Sequence, residues 1–100
     1  MEKQVPHYSQ AAVQRAVKAL GVSSFTRTAI DNGFAMGLSA KDLIDCVCGM
    51  TRQCFYKRLT THLSSKVWQD VYHAPTPARV AYVKVTLRED GAILIQFKEK

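Results

Sequence analysis

The chain has 100 residues, of which 47% are hydrophobic, and 14 Lys and Arg against 8 Asp and Glu give it a formal net charge of +6. This length suits one compact domain over residues 1–100 and leaves no room for a second core. No apolar run approaches the roughly 20 residues of a membrane helix, and no signal peptide opens the chain. The spacing of the three cysteines does not suggest a disulfide framework, so we expect a soluble, cytoplasmic protein. The basic surface is expected to attract a polyanion, and nucleic acid is the first candidate.

The first half of the chain has the 3.6-residue spacing of helices. Ser9 has the position of an N-cap, and Ser39 is followed three residues later by Asp42, which is the pattern of a capping box. A glycine stands at the expected end of each helical segment, and at Gly33 a left-handed cap is easiest for glycine. The predicted helices therefore run from Ser9 to Gly21, from Thr26 to Asn32 with an end at Gly33, and from Ser39 to Gly49.

After Gly49 the hydrophobic period changes to two, with the β-branched and aromatic enrichment of strands. Helices first and strands second predict an α+β fold in which N-terminal helices pack on one face of a C-terminal antiparallel sheet. The predicted strands are Cys54–Thr61, Val67–Tyr72, Val80–Leu87 and Ala92–Lys98.

The last two strands predict a specific hairpin register. All of their apolar side chains reach one face if 83 pairs with 97, 85 with 95 and 87 with 93, which requires a three-residue loop over 89–91 with Gly91 in the left-handed conformation. The other face then places Tyr82 opposite Lys98 and Lys84 opposite Gln96. Such a face can bind RNA through stacking and charge, or can be the solvated outer face of a half-buried sheet.

Several longer stretches, in this order and spacing, resemble the MqsR toxin family of toxin–antitoxin systems: MEKQVPH, FYKRLTTH, WQDVY, AYVKVT and the terminal FKEK. The resemblance implies a RelE-like fold and a ribosome-independent, sequence-selective endoribonuclease that cleaves mRNA, with GC-containing sites linked to the family. It also implies a cognate antitoxin, MqsA, with a zinc-binding domain and a helix-turn-helix domain that binds the DNA of the operon.

The same resemblance implies catalytic roles for Lys57, Gln69, Tyr82 and Lys98. RNA can be cleaved without a metal when its 2′-hydroxyl attacks the phosphate, provided that side chains move protons and stabilise the phosphorane. We expect phosphate stabilisation or proton transfer from both lysines, orientation or acid catalysis from Tyr82, and positioning from Gln69. The residues predicted to help bind RNA are Arg58, Lys84, Gln96, Lys100 and His7.

The strand pattern gives two conflicting placements for Lys57 and Gln69. A turn near Leu63 would make them cross-strand neighbours, but alternation puts Phe55 on the same face and would turn that face inward. Either the edge of the sheet is open, or a β-bulge redirects one side chain. On the opposite face, Arg58 and Asp70 are expected to form a structural salt bridge, and Trp68 to pack in the core or against a helix.

Other chemistries have weaker support in the sequence. His62 and His73 fall in predicted connections, which disfavours a two-histidine ribonuclease, and Cys46 and Cys48 would point about 200° apart on a helix and could not chelate one metal ion together. Cys54 lacks a visible partner base. Two further function classes stay open, a non-catalytic RNA-binding module and an interaction protein for an acidic regulator.

Overall fold

A computed structural model describes residues 5–61 and 66–100, so the predicted turn at Leu63 and the neighbouring His62 lie outside the described residues. Within these ranges three α-helices precede a four-stranded antiparallel sheet whose order is the order of the chain. The helices pack against one face of the sheet, and the predicted α+β fold is confirmed. The elements are α1 (Gln10–Leu20), α2 (Arg27–Ala35), α3 (Ala40–Cys48), β1 (Phe55–Thr60), β2 (Trp68–Ala74), β3 (Ala81–Leu87) and β4 (Ile93–Glu99).

The predicted helix starts are confirmed by their capping contacts. The Ser9 hydroxyl accepts the backbone N–H of Ala12 at the start of α1. At the start of α3, Ser39 and Asp42 form the reciprocal capping box, in which each side chain accepts the backbone N–H of the other residue. These contacts satisfy backbone donors that have no partner within the first turn of a helix.

The predicted end of α2 at Gly33 is wrong, because the helix continues to Ala35 and the chain turns at Gly37 with φ 86°. Gly33 is buried inside the helix, where a Cβ atom would lie 2.5 Å from the Leu43 side chain. This glycine therefore allows α2 and α3 to approach closely and does not end the helix. Among the described residues, no helix has the length and apolar character needed to cross a membrane.

The core lies between the helices and one face of the sheet. Val83, Val85 and Ile95 are fully buried there and pack with side chains of all three helices. Helix α2 also closes the outer edge of β4, since the backbone N–H of Thr26 donates to the Ile95 carbonyl at 3.0 Å and the Asn32 amide donates to the Phe97 carbonyl at 2.9 Å.

The β3–β4 hairpin has the predicted register, with Val83 opposite Phe97, Val85 opposite Ile95 and Leu87 opposite Ile93. The loop is also as predicted: the Arg88 N–H donates to the Ala92 carbonyl at 2.8 Å, and Gly91 has φ 88°. A left-handed residue at the end of a three-residue loop gives the strands their twist, and glycine occupies it without steric cost.

A β-bulge at Tyr56 changes the predicted arrangement of β1. Phe55 pairs with Tyr72, whereas Lys57 pairs with Val71, so two residues of β1 separate neighbouring partners of β2. The bulge puts Phe55 and Lys57 on opposite faces, which corrects the expectation that they share one. Gln69 pairs with Leu59, and Lys57 pairs with Val71. Lys57 and Gln69 are therefore on the same face and on neighbouring strands, but they are diagonal neighbours and not direct cross-strand partners.

Candidate functional site

The face of the sheet opposite the helices, called here the open face, is formed by alternate residues of the four strands. In the described strands it carries three lysines, one histidine and no carboxylate. The ladder arranges these side chains in rows, one of which joins Lys57, Val71, Lys84 and Gln96 across all four strands. A second row joins His73, Tyr82 and Lys98, and a third joins Leu59, Gln69, Thr86 and Leu94.

The predicted pair of Tyr82 and Lys98 lies at one end of the open face. The two residues are direct partners in the β3–β4 ladder, and Lys98 Nζ lies 5.0 Å from the centre of the Tyr82 ring. Lys84 Nζ lies 5.9 Å from the same ring. Tyr82 is half-buried and Lys98 is exposed, so this phenol with two neighbouring ammonium groups is accessible from solvent.

A cavity of about 430 Å³ lies beside this pair, between the open face and the first turns of α2. Its sheet side consists of Tyr82, Lys84, Gln96 and Lys98 with the edge of Phe97, and its helix side begins at Thr26. The cations on one wall and the amino-terminal end of a helix on the other both favour a bound anion.

Lys57 lies on the same face but nearer to the opposite edge of the sheet. Its Nζ atom is 5.3 Å from the centre of the Tyr56 ring, and its side chain is exposed. The row that contains Lys57 and Lys84 places them two strands apart, about 10 Å at the usual strand spacing. Two phosphate-sized groups can therefore be held by different lysines of one row.

Gln69 belongs to the open face but lines a different cavity from Tyr82 and Lys98. Its side chain is 9% exposed, and its amide nitrogen lies 3.4 Å from the Thr86 hydroxyl. The surrounding cavity, of about 670 Å³, extends to the tip of the β3–β4 hairpin. The structure thus pairs Tyr82 with Lys98 at one end of the face and places Lys57 in the next row, on β1. Gln69 lies one row farther away, beyond the row of Val71 and Lys84.

His7 and Arg58 are placed apart from the other residues predicted to bind RNA. Both contact Trp68: the His7 ring stacks on it at 5.4 Å, and the Arg58 guanidinium lies 5.2 Å from its ring centre. Trp68 and Arg58 belong to the face that carries Asp70, the reverse of the open face. His7 also lines the larger cavity, whereas Lys84 and Gln96 border the smaller one and Lys100 follows the end of β4.

Asp70 has a structural role that its predicted pairing with Arg58 did not include. The two residues are ladder partners, but the buried carboxylate accepts the backbone N–H of His7 at 2.9 Å and that of Tyr8 at 2.8 Å. Hydrogen bonds to a carboxylate are stronger than those between neutral groups. Asp70 therefore fixes the segment before α1 onto the sheet.

His73 is a residue of the open face that the sequence prediction placed in a connection. Strand β2 continues to Ala74, and the His73 ring stacks on Tyr56 at 4.3 Å with 24° between the ring planes. Tyr82 lies on the other side at 5.9 Å. Burial, followed by the charges of Lys100 and Lys57, lowers the pKa of His73 below its ordinary value. The alternation of 69 and 71 continues to position 73 before the proline at 75, and this pattern could have placed His73 on the strand.

The sequence is similar to known proteins over nearly its whole length. The family model described as "Motility quorum-sensing regulator, toxin of MqsA" matches residues 5–99. The curated mRNA interferase toxin MqsR of Escherichia coli (strain K12) is 34% identical over 100 residues, which cover all of both chains. The chain belongs to the MqsR toxin family. The three helices on a four-stranded antiparallel sheet are consistent with the RelE-like fold that the sequence resemblance implied for an MqsR member.

Two cysteines of this MqsR family member, Cys46 and Cys48, belong to α3 and so lie on the helix side of the sheet. Cys46 is buried in α3 among core residues, and burial raises the pKa of its thiol to about 11. Burial also raises the pKa of the Cys48 thiol. Residues 5–61 and 66–100 contain no group of three or more His, Cys, Asp or Glu side chains that could hold a metal ion. Because burial raises their pKa, the thiols of Cys46 and Cys48 are weak nucleophiles at neutral pH.

Proposed function

We propose that this protein is the toxin of a type II toxin–antitoxin system and acts as a ribosome-independent, sequence-selective endoribonuclease. Its substrate is mRNA, cleaved at GC-containing sites, and the result is inhibition of translation and growth. Support comes from the family and from a relative whose name is mRNA interferase toxin. The observation that carries the proposal is the Tyr82–Lys98 pair, in which a phenol and an ammonium group meet on a solvent-accessible, carboxylate-free face.

The reaction requires no metal in this proposal. A base takes the proton of the ribose 2′-hydroxyl, its oxygen attacks the adjacent phosphorus, and the bond from phosphorus to the 5′-oxygen breaks. The products are a 2′,3′-cyclic phosphate and a 5′-hydroxyl end. Lys98 stabilises the negative charge of the phosphorane, and Lys98 or Tyr82 gives a proton to the departing 5′-oxygen. Lys57 stabilises a phosphate from the neighbouring row, and Gln69 positions the transcript.

The transcript path follows from the positions of the cations. Lys84 and Gln96 share the row of Lys57, which lies next to the row of Tyr82 and Lys98 on the open face. Lys100 extends the positive charge beyond β4. An RNA strand across the rows would place successive phosphates near different lysines. Such binding would weaken with salt, since it releases counterions from the RNA.

An antitoxin of the MqsA type is the proposed protein partner. The description of the matching family, toxin of MqsA, supports this pairing. The antitoxin would carry a zinc-binding domain that binds the toxin and a helix-turn-helix domain that binds DNA, so the toxin would contact DNA only indirectly. Identifying the antitoxin does not by itself distinguish an enzyme from a regulator.

Cleavage of a defined transcript by the purified protein in the presence of a chelator tests the activity. We expect fragments with cyclic phosphate and 5′-hydroxyl ends, and Lys98→Ala should reduce kcat by about 10² to 10³, as for the loss of one donor to a developing oxyanion. Lys41→Ala is the matched control, because Lys41 is an exposed lysine of α3 that pairs with Asp45. Full activity of Lys98→Ala with an intact fold would contradict the site assignment.

Two other outcomes would favour the alternative functions. Salt-dependent RNA binding without cleavage would indicate a non-catalytic RNA-binding module. Absence of both RNA binding and cleavage, together with tight binding of an acidic partner, would indicate an interaction protein. Sequencing the fragment ends would also define the cleavage sequence.

A further inference from the structure

His73 occupies the centre of an aromatic group that the open face forms from three strands. Tyr56 of β1, His73 of β2 and Tyr82 of β3 follow one another across the sheet, and Tyr82 continues the row to Lys98. The bulge in β1 brings Tyr56 to this position. The imidazole is thus next to the phenol of the proposed site, although none of the stretches that resemble the MqsR family includes His73.

The two tyrosines determine how the imidazole can meet a ligand. Tyr56 is stacked on the ring, at 4.3 Å and 24°, and Tyr82 is tilted against it from the neighbouring strand. A nucleobase would have to displace Tyr56 to stack on the covered ring face. The edge of the ring, which carries the nitrogens, remains for contact with RNA, since the His73 side chain is only partly buried.

The chemistry of the neighbouring groups leaves a specific task unfilled. Cleavage through the 2′-hydroxyl requires a group that accepts its proton, and an ammonium group or a phenol in its ordinary state at neutral pH donates protons, while an amide does not accept one. Imidazole is the side chain that takes up and releases a proton near neutrality. On the open face of the four described strands, His73 is the one imidazole.

We propose that His73 is the general base of this site and takes the proton of the RNA 2′-hydroxyl, a role that rests on the proposed ribonuclease function. The O2′–H bond breaks as the imidazole nitrogen gains the proton, and the freed electron pair forms the O2′–P bond. The P–O5′ bond breaks, and the 5′-oxygen takes a proton from Lys98 or Tyr82. Solvent then removes the proton from His73 and returns a proton to the Lys98 or Tyr82 group that gave one.

The charged and titratable groups around His73 favour the form that this role needs. Tyr56 and Lys57 face it from β1, Tyr82 from β3, and Lys100 from the end of β4. Burial, then the charges of Lys100 and Lys57, lowers the pKa of His73, so its folded pKa lies below the ordinary imidazole value of about 6.5. The neutral imidazole therefore predominates at pH 7, and protonation below the folded pKa should stop proton acceptance.

The test combines a pH profile with chemical rescue, using the full chain and a short RNA that the wild type cleaves. In wild type, kcat/KM should fall at acid pH, below the ordinary imidazole pKa of about 6.5. In His73→Gln, kcat/KM should be lower by a factor of about 10² to 10⁴, and this fall at acid pH should be absent. Binding of the same RNA with a 2′-O-methyl group at the cleavage site should be nearly unchanged. Free imidazole should restore cleavage to His73→Ala, which a purely structural role of His73 would not allow.

The outcomes separate this inference from the function on which it rests. If wild type cleaves RNA and His73→Gln, with an unchanged melting temperature, keeps the wild-type rate and acid limb, His73 is not the base and the ribonuclease proposal stands. Loss of activity that imidazole fails to restore in His73→Ala would also overturn the proton-transfer role. A wild-type protein that cleaves no RNA would overturn both proposals.

Discussion

The two faces of the β3–β4 hairpin are formed by alternate residues of the same two strands and serve different purposes. One face presents Val83, Val85 and Phe97 to the helices and is sealed from water, whereas the other presents Tyr82 and Lys98 to solvent. Because side chains alternate along a strand, each residue that packs in the core is followed in the chain by a residue of the open face. Substitutions at neighbouring positions should therefore affect different properties, and this separation can be tested directly.

The largest effect on stability is expected from Phe97→Ala on the covered face. Phe97 is 2% exposed and packs edge to face with Phe25 at 6.5 Å. Removing a buried phenyl ring leaves a cavity and should lower the free energy of unfolding by about 3 to 5 kcal/mol. Urea denaturation of this variant beside Lys98→Ala provides the measurement. Equal destabilisation by the two neighbours would break the distinction between the faces.

A smaller and different effect is expected from Lys84→Gln on the open face. The loss of one phosphate contact to single-stranded RNA should reduce the slope of log K against log salt by about 0.7 and leave stability nearly unchanged. The measurement is the affinity for 2′-O-methylated RNA over a range of salt concentrations, with Lys41→Gln as the control on α3. An unchanged slope would remove Lys84 from the transcript path.

The smallest effect is expected from Arg79→Ala, in the bend that precedes β3. Arg79 pairs with Glu99 at 2.7 Å, but their side chains are 69% and 45% exposed. Exposed ion pairs contribute about 0.2 to 1 kcal/mol, and the loss should be within that range in urea denaturation. A loss comparable to that of Phe97→Ala would show that burial does not decide stability in this hairpin.

The hairpin could be predicted from the sequence because several local constraints agree. Apolar alternation in both strands permits one register, and the same register needs a three-residue loop with glycine where Gly91 stands. Ser9 and Ser39 were equally predictable, since a cap depends on residues three positions away. Gly33 was misread because a glycine that ends a helix and one that allows close helix packing look alike in sequence.

The sequence by itself determined the helix starts, the α+β order and the pairing of Tyr82 with Lys98, because these depend on short-range periodicity and on contacts between adjacent segments. Tertiary structure decided the position of the β1 bulge and brought Tyr56 beside His73. A bulge changes which face a residue occupies without leaving a clear mark in the alternation, so its consequences appear only when the strands are paired. Burial, followed by the charges of Lys100 and Lys57, lowers the pKa of His73. These two lysines are far apart in the sequence, and only the fold brings them near the imidazole.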